Sequence, residues 1–239
     1  MGVPSEWCEP QLIDPHKPVV ILISGFGGNA RSLAVMRKRL LRDGFNVLIV
    51  SLSWDVIADS VAGLSWLAKK LSALVLELRK RKGMQRQKIF LVAHSAGGLV
   101  ARHYIQLLGG DHYCDGLVTL ATPHLGTWVA ALGFFTHLIL KARCLYQLLP
   151  ISMYIDKVNH SDFPKGFPMA SIYSPDDALC PESSTVLPPS VSESKNVEVH
   201  RLARVSHVEF LMSKKVYTHL KKWFGQQGVT FRSAHSKAC

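Results

Sequence analysis

Short runs of adjacent apolar residues, many of them β-branched, alternate along this chain with longer stretches in which apolar positions recur every three or four residues. Val19, Val20, Ile21, Leu22 and Ile23 open the pattern. A continuous apolar run of that length, bounded by turn residues, predicts a strand buried on both faces. The same reasoning predicts strands at 18–23, 45–51, 88–93, 116–121, 168–173 and 197–202. Between the first two, Leu33, Met36, Leu40 and Leu41 share one helical face over 30–43, behind Asn29 as a cap and before Gly44. Further helices are predicted at 61–82, ended by Gly83, at 97–108, ended by Gly109-Gly110, and at 210–224. Strand and helix in alternation imply an α/β fold, with a mainly parallel sheet of six strands flanked by helices on both faces.

The rhythm stops between Pro123 and Gly166. Residues 128–150 are more apolar than a surface helix, with Phe134, Phe135, Leu138, Ile139 and Leu140 close together, and 116–140 carries no formal charge. A run of that length raises a membrane span. Pro123, His124, Gly126, Gly133 and His137 interrupt it, and its first part is needed as a strand. The expectation is therefore an apolar cap, 124–166, inserted within a single domain spanning 1–239, followed by a polar, frayed tail over 225–239.

The composition fits one globular core: of 239 residues, 48% are hydrophobic and 19% charged, which excludes collagen-like and disordered classes. Five cysteines, an odd number without C-x-x-C or zinc spacing, argue against a disulfide framework and a zinc site. The first seventeen residues show no basic start and no apolar run, so no secretory signal is expected, and a cytoplasmic or membrane-peripheral location is favoured. The net charge of +11 suits nucleic acid, an anionic membrane or an acidic substrate. Its densest cluster, Arg79, Lys80, Arg81, Lys82, Arg86 and Lys88, falls at a predicted helix end, where cations complement the helix dipole. A solvated face is the first reading and membrane attraction the second. No aromatic interleaving or recognised motif supports nucleic acid.

Two glycine motifs carry candidate chemistry. Gly25-Phe26-Gly27-Gly28-Asn29-Ala30 follows a strand and opens a helix, as a dinucleotide fingerprint does. That reading needs an acid at the end of the second strand to bind ribose hydroxyls, and Ser51-Leu52-Ser53 stands there instead. Ala93-His94-Ser95-Ala96-Gly97-Gly98 is the sharper signal, because strand and helix leave the chain very few residues in which to reverse. Ser95 at that turn takes a strained conformation that lifts Oγ above the sheet, with Ala93 and Gly97 small enough to allow it.

A serine hydroxyl needs a histidine base and a carboxylate to orient that base, here in the chain order Ser, Asp, His. Asp177 leaves the fifth strand in Ser174-Pro175-Asp176-Asp177, with Asp176 in reserve, and His207 sits between the last strand and last helix. Both places lie at the carboxyl edge, where open α/β sheets bind ligands. His94, His200 and His219 are expected to be structural or exposed. The backbone N–H groups of Phe26 and Ala96 occupy the positions of an oxyanion hole, which gives the Gly25 loop a task without a nucleotide.

On these motifs, with Ala121-Thr122-Pro123-His124-Leu125-Gly126-Thr127 and Ser206-His207, the chain resembles the α/β-hydrolase family over most of 18–224, and more closely small microbial lipases and esterases with a minimal six-stranded sheet. Ser24 replaces the histidine that often precedes the oxyanion glycine, and Ala93 replaces a glycine. The resemblance implies that the insertion is a lid over an acyl pocket, with Trp128, Phe134, Phe135 and Leu138 meeting substrate. The expected activity is serine-dependent hydrolysis of a lipid or other small carboxylic ester through an acyl-enzyme, with Ser95, His207 and Asp177 as triad and no cofactor or metal. An acyltransferase or thioesterase with the same triad, a dinucleotide-dependent oxidoreductase and a non-catalytic membrane-binding module are the alternatives.

Overall fold

Val19, Ile21 and Ile23 pack into one apolar layer and Val20 and Leu22 into the other, so the first strand is covered on both sides, as its unbroken apolar run requires. This is a computed structural model that describes residues 13–51, 63–133 and 143–231. Its six strands are β1 (Val19–Ile23), β2 (Asn46–Val50), β3 (Ile89–His94), β4 (Gly116–Leu120), β5 (Met169–Tyr173) and β6 (Val197–Arg201), all pairing parallel in the order β2-β1-β3-β4-β5-β6. The helices are α1 (Ala34–Arg42), α2 (Leu64–Lys80), α3 (Ala96–Leu107), α4 (Arg143–Gln147), α5 (Met153–Asn159), α6 (Glu182–Thr185), α7 (Pro189–Ser192) and α8 (Lys214–Gln226).

The apolar faces of α2 and α3 cover one side of the sheet through Leu71, Val75, Leu99 and Val100. Met36 and Leu40 of α1 cover the other side with Leu220, Trp223 and Phe224 of α8. The last helix begins later than its apolar pattern suggests. Ser213 caps it by accepting from the Val216 N–H, while Phe210 and Leu211 are buried in the preceding 3-10 turn. Of the segment expected as a tail, Val229 is buried and the Phe231 ring lies 6.0 Å from Phe45, and residues 232–239 lie outside the described residues.

Two members of the basic cluster do structural work. Arg79 donates to the carbonyls of Tyr113, Met84 and Gln87 and pairs with Asp115 at 3.5 Å, closing the turn after α2. Lys88 donates to the Gln227 carbonyl. Among the described residues no helix is long and apolar enough to cross a membrane. Cys114, Cys144 and Cys180 are buried, and none of them forms a disulfide with another described residue.

The strand order fixes where a site can form. From β1 the chain moves outward to the edge strand β2, then crosses to β3 on the other side of β1, so the carboxyl ends of β1 and β3 diverge around a crevice. The Gly25 loop leaves one lip and Ser95 the other.

Candidate active site

Ser95 lies between β3 and α3 with φ 54° and ψ −130°, a conformation rare for a residue with a side chain and costing about 1–3 kcal/mol. The surroundings enforce it. The Ser95 N–H donates to the Leu120 carbonyl at 2.8 Å, and the Thr122 hydroxyl donates to the Ser95 carbonyl at 3.0 Å. A Cβ on Gly97 would come within 2.5 Å of the Ser24 carbonyl oxygen, and one on Gly98 within 2.0 Å of Thr122 Oγ1. Close approach, more than flexibility, therefore explains why glycines follow the serine.

The Gly25 loop faces it. A Cβ on Gly25 would lie 2.7 Å from Ser95 Cβ, so the position admits only glycine without displacing the serine. The loop turns back through Gly28 N–H to the Gly25 carbonyl at 3.0 Å, and the hydroxyls of Ser24 and Ser51 donate to the Gly28 carbonyl at 3.2 and 3.0 Å. Ser24 thus anchors the loop from the position where a histidine is common, and Ser51 braces it from β2 in place of a ribose-binding acid. Ala96 opens α3, where the first N–H groups have no intrahelical acceptor, and Phe26 lines the same cavity.

At the end of β5 the two neighbouring aspartates separate. Asp177 is fully buried; its Oδ2 lies 2.7 Å from His207 Nδ1, and its Oδ1 accepts from the N–H groups of Leu179 and Cys180, both at 2.9 Å. Asp176 instead accepts from the Arg204 N–H at 2.7 Å, fixing the loop that leads to His207. Glu182 is held by Arg201 at 2.8 Å and by the Tyr173 hydroxyl at 3.1 Å. With the carboxylate on Nδ1–H, the His207 ring is left with Nε2 as its basic nitrogen. Among the described hydrogen bonds none joins Ser95 Oγ to His207, although both side chains line one cavity. Such contacts often tighten only when substrate binds.

Two neighbours were not singled out in the sequence. His94 is buried, with its ring 4.6 Å from that of His207 and Nε2 3.0 Å from the His207 carbonyl. Burial, reinforced by His207, pushes its pKa down to about 3. Cys180, two residues beyond the carboxylate loop's turn, is buried against the catalytic candidates, and burial and Asp177 raise its thiol pKa above the ordinary range. Position within the elbow motif was the available signal for His94; no spacing rule marks Cys180.

Above Ser95 opens a cavity of about 420 Å³ whose wall is largely apolar, formed by Phe26, Val129, Leu145, Leu148, Leu179 and Leu211. Three of these come from the inserted segment, which is tied down by Thr127 N–H to the Leu148 carbonyl and by Leu64 N–H to Gln147 Oε1. Trp128 does not line this cavity. It is 61% exposed and borders a smaller one of about 280 Å³. Phe134, Phe135 and Leu138 lie outside the described residues.

A six-stranded all-parallel sheet, helices on both faces and a strained serine at the topological switch point make up the α/β-hydrolase fold. Residues 15–147 match the family model described as "Putative serine esterase (DUF676)", and the chain belongs to that family. The matched stretch contains the Gly25 loop and Ser95 and ends before Asp177 and His207. Solved structures share the fold at low identity. The mature lipase BlEst2 of Bacillus licheniformis is 17% identical, with TM-score 0.71 over 95% of this chain and 99% of that one. A soluble variant of Saccharomyces cerevisiae monoglyceride lipase, solved with a substrate analog, is 13% identical with TM-score 0.70 over 94% and 91%. Est1E of Butyrivibrio proteoclasticus is 15% identical with TM-score 0.66 over 92% of each. No curated protein matches the chain in sequence.

Proposed function

We propose that the chain is a serine carboxylic-ester hydrolase acting on lipid acyl esters. The observation that carries this reading is the strained Ser95 beneath an apolar cavity of about 420 Å³ that also holds His207, itself bonded to the buried Asp177 carboxylate. Ser95 Oγ attacks the acyl carbonyl carbon as His207 Nε2 takes the hydroxyl proton. Asp177 holds the ring and balances the imidazolium charge. The N–H groups of Phe26 and Ala96 stabilise the oxyanion. Collapse expels the alcohol, which takes its proton from His207, and leaves the acyl group on Ser95. Water then attacks with His207 again as base, and the carboxylic acid departs.

The apolar wall supports an acyl chain as the group held, and exposed Phe26, Leu179 and Val208 at its rim support entry from a lipid surface. The segment 124–166 acts in this reading as a cap, with Trp128 on its outer side. A fluorophosphonate should label wild-type chain and leave Ser95→Ala unlabelled. Release from p-nitrophenyl esters of increasing acyl length should then favour chains long enough to fill the cavity. Labelling that persists in Ser95→Ala would overturn the assignment, and acyl transfer to an added alcohol in preference to water would make the enzyme a transferase.

A further inference from the structure

Ester hydrolysis leaves the Cys180 thiol without a task, although it lies inside the machinery. Its Sγ, a carboxylate oxygen of Asp177 and a ring nitrogen of His207 all lie within 4.8 Å of one another. The three side chains are buried or nearly so, and they are fixed relative to one another: the Cys180 N–H donates to Asp177 Oδ1, and Asp177 Oδ2 holds His207. Tetrahedral zinc, with bonds of 2.0–2.3 Å, separates its ligand atoms by roughly 3.3–3.6 Å. Rotations moving Cys180 and His207 by about an ångström would therefore bring this set to coordination distance.

The chemistry of the set is selective. Thiolate with imidazole suits zinc-like cations, whereas magnesium and calcium prefer oxygen alone. Charge points the same way. A divalent cation supplies two positive charges for one carboxylate and one thiolate, so binding releases the thiol proton to solvent and leaves the local charge balanced. The Ser95 hydroxyl, which lines the same cavity, or a water there can take a fourth direction.

We propose that Asp177, Cys180 and His207 form an inhibitory site for a thiophilic divalent cation of the zinc type. Bound there, the cation takes the imidazole lone pair or its carboxylate partner and so removes the base from the reaction. The inhibition rests on the serine-esterase reading of the same residues, while cation binding does not.

Cobalt(II) separates the two. Titrated into the reduced 239-residue chain, it should develop a near-ultraviolet thiolate-to-cobalt absorption saturating at one equivalent, which zinc displaces and which is absent from Cys180→Ala. His207→Ala should keep the absorption but weaken cobalt affinity by about tenfold or more. With soluble p-nitrophenyl acetate, zinc should inhibit reversibly on chelation. The half-inhibitory concentration, measured against each variant's own zinc-free rate, should rise about tenfold or more in Cys180→Ala. Absence of the band, a band that persists without Cys180, or equal zinc sensitivity of the two proteins would overturn the proposal. Should Cys180→Ala fail to fold, Cys180→Ser gives the same spectroscopic comparison. A Cys180-dependent band in a chain without esterase activity would keep the metal site and discard the hydrolase reading.

Discussion

His94 donates from Nε2 to the backbone carbonyl of His207, 3.0 Å away, beneath a ring contact of 4.6 Å. A carbonyl oxygen can only accept, so the proton of the neutral His94 ring is on Nε2. With its pKa near 3 the ring stays uncharged at neutral pH and does not repel His207 when that residue carries a proton. The elbow strand thereby fixes the backbone of His207, the proposed base, as well as that of Ser95. His94→Ala should lower kcat by about tenfold to a hundredfold with little change in KM for a soluble ester, because misplacement of a reacting group acts mainly on the chemical step. His94→Gln, whose amide can still donate, should recover part of the loss. A change confined to KM, or no difference between the two variants, would count against this positioning role.

The neighbouring aspartates have different partners, His207 for Asp177 and the Arg204 N–H for Asp176. Asp177→Asn should reduce turnover by about 10⁴, since an amide favours the wrong ring tautomer. Asp176→Asn keeps an acceptor for the Arg204 N–H and should cost less than about tenfold. Steady-state rates of the two variants decide it; the larger loss in Asp176→Asn would exchange the roles.

The β/α order was legible because every strand except β6 is mostly an apolar run and the main helices show apolar spacing between glycine stops. Ser95 was legible from the small residues that its turn demands, and His207 from its place after the last strand. The choice between Asp176 and Asp177 was not, since adjacent residues in a turn differ only in where each carboxylate points. Nor was Trp128: an apolar residue in an apolar insertion carries no sign of which face it presents, and it stands outside the main cavity. Cys180 reaches the site through a loop bend that no sequence periodicity records.

Ser95→Ala and His207→Ala should each lower ester turnover by about 10⁶ while leaving the fold intact, and the double variant should be little worse than either. In the proposed mechanism nucleophile and base act as a unit, so their losses should not add. Circular dichroism checks the fold, and single-turnover release checks the chemistry. Near-native activity in Ser95→Ala would end the mechanism.

Stability should fall between pH 6.5 and 5, before the carboxylates titrate. Burial pushes the pKa of His94 to about 3 and that of His124 well below its ordinary 6.5. Above pH 6.5 both rings are neutral folded and unfolded. Below it the unfolded chain takes up protons that the folded chain refuses, at up to ~1.4 kcal/mol per pH unit for each ring. The paired carboxyls of Asp43 and Glu182, lowered from 3.8 and 4.5, contribute only at more acid pH. Urea unfolding at pH 7, 6 and 5 measures the slope, and His94→Gln should make it shallower. A flat profile would mean that the rings accept protons while folded.

Trp128 is 61% exposed, Ile151 69% and Met153 84%, all within the expected cap, while Phe26, Leu179 and Val208 expose apolar surface at the cavity rim. Apolar surface left in water forgoes roughly 25 cal/mol per Å². Contact with a lipid surface would recover part of that, so rates on long-chain esters should rise once the substrate aggregates. Trp128→Ser and Met153→Ser should then lower action on emulsified long-chain esters more than on dispersed short ones. Leu148→Asp, on the cavity wall, should lower both. Equal losses for the outer and inner variants on both substrates would make Trp128 and Met153 part of the protein's packing. A rate that climbs smoothly through the micellar threshold would leave a fixed acyl pocket, with the inserted segment as its wall and not as a moving lid.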